Sequence, residues 1–154
     1  MTRPARAPGG GVELRVEDDP DPADLDALDA GVAEATLRAT RLPEPRPLAV
    51  LARQDGDLVG GVHGWTWGGC CEVVTLWVSE ERRGCGMGRA LLARVEEAAA
   101  RRGCRLVVAF THDVQAPGLY RAAGYTLVAT VEGYPAGGAA HWFRKPLGRV
   151  IPMG

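Results

Sequence analysis

The chain has 154 residues, of which 46% are hydrophobic and 24% are charged, and its formal net charge is −1. This length predicts one domain with a sizeable core, and the near-neutral charge argues against bulk binding to nucleic acid or to a membrane surface. No apolar run approaches the roughly 18 residues of a membrane span, and the first residues lack the apolar region of a secretory signal. The four cysteines have no partners at metal-binding spacing. We therefore expect reduced thiols, no metal and a cytoplasmic location.

The N-terminal part of the chain is predicted to contain one strand and one helix. Residues 1–11 are rich in Pro, Gly and Arg, which is typical of a loose segment. Alternating apolar and polar residues predict a strand at 12–16. Aspartate caps and near-helical apolar spacing predict a helix at 23–38. The proline-rich residues 40–47 are expected to form a loop, either a plain connector or the wall of an acceptor site.

An antiparallel meander of three strands is predicted next. The strands are expected at 48–53, 58–67 and 70–78, and an Asp-Gly pair marks the first hairpin turn. Glycines inside the second strand predict a bulge or a close approach of the backbone.

A glycine-rich segment then joins the strand end at Val78 to an Ala- and Leu-rich helix at 89–100. Glycines at 84, 86 and 88 let backbone N–H groups approach a phosphate, and a helix N-terminus favours negative charge there. Arg83 adds a cation at the same place. The segment lacks the Lys-Ser/Thr pair of an NTPase phosphate loop and the G-x-G-x-x-G spacing of a dinucleotide site. The sequence therefore predicts an anion site of another type.

The C-terminal third is predicted to alternate between strands and a short helix. The apolar run at 105–110 predicts a buried parallel strand. A short helix is expected at 114–122, and the last strands at 125–131 and 141–144. The predicted order is therefore β-α-β-β-β-α-β-α-β-β.

Two motifs carry a family resemblance. The spacing Arg83-x-x-Gly86-x-Gly88 resembles the acyl-CoA signature R/Q-x-x-G-x-G/A of the GNAT superfamily of N-acetyltransferases. The segment QAPGLYRAAGY at 115–125 resembles the family's A-x-x-x-Y-x-x-x-G-[FY] helix. The YPAG segment and the chain around Lys145 are similar to one bacterial branch of the family.

The resemblance covers residues 48–147 and implies the fold class. This is an α/β (α+β) GNAT fold with a mixed central sheet flanked by helices. The sheet splays between its fourth and fifth strands to admit the pantetheine arm of CoA. We expect a single acetyltransferase domain at 12–148, followed by a tail at 149–154.

A site for acetyl-CoA is also implied by the resemblance. The backbone of the fourth strand would pair with the pantetheine amides, as an added strand does, and the glycine-rich segment would hold the pyrophosphate. The cofactor-binding residues implied in this way are Leu76, Trp77, Val78, Arg83, Gly84, Cys85, Gly86, Met87, Gly88, Arg89, Thr111, Asp113 and Tyr120. Many family members carry Asn where this chain has Asp113. Asp113 and His112 either cap the short helix or take part in acid–base chemistry or acceptor binding.

Tyr120 and Glu72 are the candidate catalytic residues. Tyr120 occupies the position of the family's tyrosine, which protonates the departing CoA thiolate; the alternative is an aromatic residue that packs the helix onto the sheet. Alternation predicts Glu72 on the same face as Val74, Leu76 and Val78, where it would act as the general base; the alternative is a solvated charge. Weaker candidates for the base are Glu80, Glu132 and His141. Trp65, Trp67 and Trp142 form either an apolar acceptor wall or part of the core.

The implied activity is direct transfer of an acetyl group from acetyl-CoA to the primary amine of a small molecule, a metabolite or an antibiotic, in a ternary complex. Two alternatives remain open: transfer to protein or peptide amines, and a non-catalytic acyl-CoA-binding module. A homodimer is a family-level expectation. The sequence does not identify the acceptor.

Overall fold

A computed structural model of the chain describes residues 11–113, 115 and 117–148. The predicted loose segment, except Gly11, and the predicted tail lie outside these residues. The chain comprises two compact units, residues 1–41 and residues 42–154.

The first unit contains helix α1, Pro22–Thr40. Asp21 caps it by accepting a hydrogen bond from the Ala23 amide at 2.9 Å, and Pro22 occupies the first turn, where its missing N–H has no cost. The predicted helix at 23–38 is confirmed. The predicted strand at 12–16 is wrong, because these described residues form no strand. Five alternating residues indicate a strand only weakly, since pairing requires a free strand edge as a partner.

In the described part of the second unit, six strands form one mixed sheet in the order β1-β2-β3-β4-β6-β5. The β3–β4 pair is parallel and the other pairs are antiparallel. The strands are β1 Arg46–Gln54, β2 Asp57–Trp67, β3 Cys70–Val78, β4 Leu106–His112, β5 Thr126–Glu132 and β6 Ala139–Pro146. The predicted fold class is confirmed, and the fourth and fifth strands of the prediction are β3 and β4.

Two helices of the second unit pack on one face of this sheet. Helix α2, Met87–Arg101, buries Leu92 and Val95, and helix α3, Pro117–Ala122, buries Tyr120. These side chains share one core with Cys71, Val73, Val107 and Phe143 from the strands. The predicted helix start, Val114, lies outside the described residues, and the described helix α3 begins at Pro117.

A bulge in β3 changes which side chains face this core. His63 of β2 pairs with Thr75, whereas Gly64 pairs with Val73, so Val74 is an extra residue. A Cβ on Gly64 would lie 1.7 Å from the Glu72 carbonyl oxygen, and therefore only glycine fits opposite the bulge.

The bulge overturns the predicted alternation along β3. Before it, Cys71 and Val73 are buried; after it, Leu76 and Val78 pack against the same core. Glu72 lies between Cys71 and Val73 and therefore faces the other side of the sheet. The prediction that Glu72 shares a face with Leu76 and Val78 is wrong, because the inserted residue shifts the alternation by one.

The predicted splay is confirmed. Residues 70–73 of β3 pair with residues 106–109 of β4, and the pairing stops there. Beyond this point β3 continues along β2 to Val78, while β4 continues along β6 to His112. The two parallel strands therefore diverge after Val73 and Ala109.

Candidate active site

The glycine-rich segment forms a turn between β3 and the N-terminus of α2. Gly84 and Gly86 have φ angles of 75° and 86°, in the left-handed region that favours glycine. Apart from the adjacent residues, no heavy atom of the described chain lies within 4 Å of the Cβ position at either glycine. No described side chain caps α2, whose N-cap is Gly86, so the first N–H groups of the helix are left for another acceptor. This arrangement suits an anionic group such as a phosphate.

The other residues of this segment hold the turn in place. The Arg83 Nε donates a hydrogen bond to the Val78 carbonyl at 3.1 Å, and the Cys85 thiol lies 2.9 Å from the Arg82 carbonyl oxygen. A Cβ on Gly88 would lie 2.9 Å from Leu119, so glycine permits the close approach of α3. Met87 begins α2 and Arg89 is exposed in its first turn.

Leu76, Trp77 and Val78 belong to the part of β3 that has left β4. In the described sheet, this stretch pairs only with β2. Its backbone groups on the β4 side are therefore available to an extended ligand that adds as a strand.

Tyr120 lies beside the point where the strands separate. Its ring stacks on Phe143 with 5.6 Å between centroids, and Phe143 pairs with Ala109, the last β4 residue that pairs with β3. Tyr120 is only 4% exposed, and burial raises its pKa to about 12. The phenol therefore keeps its proton throughout the neutral range and is a hydrogen-bond donor. Tyr120 is therefore a core aromatic residue that also lies beside the splay, and its catalytic role stays a prediction.

Glu72 lies on the opposite face of the sheet. It pairs with Val108 of β4 within the last two pairs before the splay, and its Oε2 accepts a hydrogen bond from the Trp65 indole at 3.1 Å. Trp65 is 41% exposed, so this pair does not belong to the core beneath α2. Where β3 separates from β4, Tyr120 therefore lies near one face of the sheet and Glu72 near the other.

Asp113 joins the end of β4 to β6. Its Oδ1 lies 2.5 Å from the His141 Nε2, and its Oδ2 accepts a hydrogen bond from the Ala139 amide at 2.8 Å. The hydrogen bond from His141 lowers the pKa of Asp113, and the Ala139 amide lowers it further. Both carboxylate oxygens thus contact β6, and a cap of the short helix by Asp113 stays a prediction.

Thr111 and His141 face the core side of the sheet. Thr111 is 3% exposed and its hydroxyl lies 3.2 Å from the Gln115 Oε1. The Nδ1 of His141 lies 3.1 Å from the Thr130 hydroxyl. Since both ring nitrogens of His141 are engaged, this side chain is a poor candidate for the base.

The sequence analysis missed the contribution of Gln115. Its Oε1 accepts a hydrogen bond from the His112 amide at 2.8 Å, which holds the end of β4 in place after β3 has left it. The only signal was its place in the QAP segment.

The remaining candidates divide between exposed and packing positions. Glu80 and Glu132 are exposed at the start of the turn after β3 and at the end of β5. The Trp67 indole donates to the Pro43 carbonyl at 2.8 Å, so Trp67 fastens the segment before β1. Trp142 is 39% exposed on β6. Neither Trp65 nor Trp142 belongs to the buried core.

The described residues contain no cluster of His, Cys, Asp or Glu that would hold a metal ion. Cys70, Cys71, Cys85 and Cys104 are free thiols, and burial raises the pKa of Cys71 to about 12. No helix in the described part of the chain is long and apolar enough to cross a membrane.

Residues 13–125 match the acetyltransferase (GNAT) family. This match spans most of the chain, and the protein belongs to the GNAT family of acetyltransferases, enzymes that use acetyl-CoA.

Its relatives include enzymes named for small molecules. The chain is 40% identical over 119 residues to blasticidin-S acetyltransferase of Streptomyces morookaense, covering 72% of this chain and 85% of the relative. A crystal structure of an Agrobacterium tumefaciens protein assigned as an acetyltransferase superposes with a TM-score of 0.83 at 27% identity, covering 88% of this chain and all of that one. The structure of nourseothricin acetyltransferase gives a TM-score of 0.60 at 30% identity, covering 68% and 67%.

Proposed function

We propose that the protein transfers an acetyl group from acetyl-CoA directly to a primary amine of a small molecule, with an amine-bearing antibiotic as the acceptor. The relative at 40% identity is named for blasticidin S, which makes this antibiotic the first acceptor to test. The observation that carries the proposal is the splay of β3 from β4, with Tyr120 beside one face and Glu72 beside the other.

The proposed binding of acetyl-CoA uses three features of this chain. The amides of the turn that includes Gly84 and Gly86 hold the pyrophosphate at the N-terminus of α2. The free backbone edge of β3 at 76–78 pairs with the pantetheine arm. Thr111 lies near the end of β4, where this strand has left β3.

The proposed chemistry has one role on each face of the sheet. The amine loses a proton to the Glu72 carboxylate, directly or through a water, and its nitrogen forms a bond to the thioester carbonyl carbon. The C–S bond then breaks, and the Tyr120 phenol donates its proton to the departing thiolate. A pKa of about 12 makes Tyr120 a weak acid, so it acts first as a hydrogen-bond donor to the developing negative charge.

A thiol-release assay tests this proposal. Acetyl-CoA is supplied with blasticidin S, nourseothricin, polyamines and short peptides as acceptors. We expect turnover on a small-molecule amine, and a loss of kcat of about 100-fold or more in Glu72→Gln and in Tyr120→Phe, as is typical of acid–base groups. Turnover only on peptides would favour the alternative of a protein acceptor.

Tyr125→Phe is the matched control for Tyr120→Phe. The two rings are in edge contact at 5.4 Å, but the Tyr125 hydroxyl donates to Glu96 at 2.9 Å. We expect this variant to keep kcat within about threefold of the wild type, because it removes one structural hydrogen bond. Equal losses in both tyrosine variants would argue against Tyr120 as the acid.

A further inference from the structure

Four rings gather on the face of the sheet that carries Glu72. They are Phe110 and His112 of β4, Trp142 of β6, and Tyr134 in the turn between β5 and β6. Phe110 is central, with ring centroids 4.9 Å from Trp142, 5.0 Å from His112 and 6.4 Å from Tyr134. His112 and Tyr134 are in edge contact at 4.8 Å. We call this group the aromatic cluster.

Register places the aromatic cluster next to the splay and on the Glu72 face. Glu72 pairs with Val108, and Val108, Phe110 and His112 alternate onto one face of β4. Phe110 is the first β4 residue beyond the last pair with β3, and it pairs with Trp142. The rings therefore begin where the two strands separate.

The aromatic cluster is not part of the buried core. None of its members belongs to the core group beneath α2 and α3, and Tyr134 and Trp142 remain 55% and 39% exposed. Contacting rings that keep this much surface in water offer flat apolar area to a ligand, since ring stacking contributes about 0.5–1.5 kcal/mol beyond the burial of area.

The turn that carries Tyr134 is tied to the end of β4. The Asp113 amide donates to the Ala139 carbonyl at 3.0 Å, and the Asp113 carboxylate accepts from the Ala139 amide. The His112 Nδ1 lies 3.4 Å from the Tyr134 carbonyl oxygen. Tyr134 is therefore held beside Phe110 and His112 before any ligand binds.

The charges around the cluster favour a cationic amine at one end of it. Glu72 supplies a carboxylate diagonal to Phe110, one strand across and two residues along, or roughly 8 Å between Cα atoms. Arg144, two residues beyond Trp142, pairs with Val108 and is the cation on the same face of β6.

We propose that the aromatic cluster is the specificity subsite for the acceptor, and that it selects primary amines attached to a planar aromatic or heteroaromatic ring. The amine lies at Glu72, and the ring stacks on Phe110, roughly 8 Å from Glu72, and against Trp142 on the next strand, with Tyr134 as the side wall. This proposal rests on the proposed function and names its substrate class.

A pair of amines that differ only in ring planarity tests the subsite. The affinities of 3-phenylpropylamine and 3-cyclohexylpropylamine for the CoA-bound protein are measured by calorimetry, which requires no turnover. We expect the aromatic amine to bind about threefold to tenfold more tightly than the saturated one. The ratio of the two affinities should fall to about one in Phe110→Leu and in Trp142→Leu, because these variants keep apolar volume and remove the ring.

Trp67→Leu is the matched control, because Trp67 lies outside the cluster and bonds to Pro43. It should retain the wild-type preference. Tyr134→Leu, at an exposed position, provides a third cluster variant if a β4 or β6 variant fails to fold, as judged by its thermal transition.

Equal affinities for the two amines in the wild type, or no binding of either, would overturn the proposed subsite. A preference that survives in every cluster variant would overturn it as well. The proposed function is decided separately, because acetyl transfer to any small amine in the thiol-release assay supports it whatever the ring preference.

Discussion

The two halves of β3 differ in how their backbone is used. Residues 70–73 pair with strands on both sides and place Cys71 and Val73 in the core. In the described sheet, residues 75–78 pair with β2 alone, and they lead into the glycine turn at the N-terminus of α2. The first half is structural, whereas the second half leaves main-chain groups for a ligand. One bulged residue, Val74, separates the two halves. A single change of register therefore divides β3 into a half that is paired on both sides and a half that is open on one side.

Gly64→Ala should disrupt the bulge at Val74, which separates the two halves of β3. It should have the largest effect on stability. Its Cβ would lie 1.7 Å from the Glu72 carbonyl oxygen, which is backbone and cannot turn aside. We expect a loss of at least about 3 kcal/mol in the free energy of unfolding and a thermal midpoint lower by roughly 10 °C.

The control for this prediction is Gly118→Ala. Outside the backbone of α3 and the adjacent residues, no heavy atom of the described chain lies within 4 Å of its Cβ position, so that variant should be neutral or slightly more stable. A Gly64→Ala protein with a wild-type melting curve would show that the bulge does not depend on glycine.

Asp113→Asn should loosen the end of β4 and have an intermediate effect. An amide replaces the carboxylate that His141 and Ala139 contact, and small displacements of a site reduce its efficiency strongly. We expect KM for the acceptor to rise about tenfold or more, with KM for acetyl-CoA unchanged. Separate measurements of KM for the acceptor and KM for acetyl-CoA in the wild type and in Asp113→Asn test this prediction.

The opposite pattern, a rise in KM for acetyl-CoA alone, would indicate that Asp113 contacts acetyl-CoA, as the family resemblance implies. Thr130→Val serves as the control, since it removes the hydrogen bond at the other ring nitrogen of His141 and leaves Asp113 in place. It should change both constants by less than about threefold.

Local patterns predicted the parts of the site that lie on one stretch of chain. The order of strand, glycines and helix around Arg83, Gly86 and Gly88 is contained in a dozen residues, and the structure keeps that order. Tyr120 was located by a motif of similar length. The helix α1 was predicted from its caps and its spacing, which are also local.

Features that depend on a partner far along the chain could not be predicted. The face of Glu72 was wrong, because the bulge follows from pairing with Gly64 on another strand. The contact of Asp113 with His141 joins residues 28 apart in sequence, and neither residue alone indicates it. The strand expected at 12–16 shows the same limit, since alternation describes one strand and says nothing about its partner.

The smallest expected effect concerns Tyr120 at alkaline pH. Its phenol ionises near pH 10 in an unfolded chain and at about 12 in the folded protein. Between these values the unfolded state binds fewer protons, so the stabilisation is complete below about pH 10 and is lost as the pH rises. The loss should reach about 1 kcal/mol near pH 11.

Denaturant titrations between pH 9 and pH 11 measure this slope. In Tyr120→Phe the free energy of unfolding should fall less steeply with pH than in the wild type, by up to one proton. Part of the slope should remain, because burial and then Glu96 also raise the pKa of Tyr125. Parallel slopes in the wild type and Tyr120→Phe would mean that the Tyr120 phenol reaches water through the separation of β3 and β4. The closed part of the core would then end before Tyr120 and its neighbour Phe143.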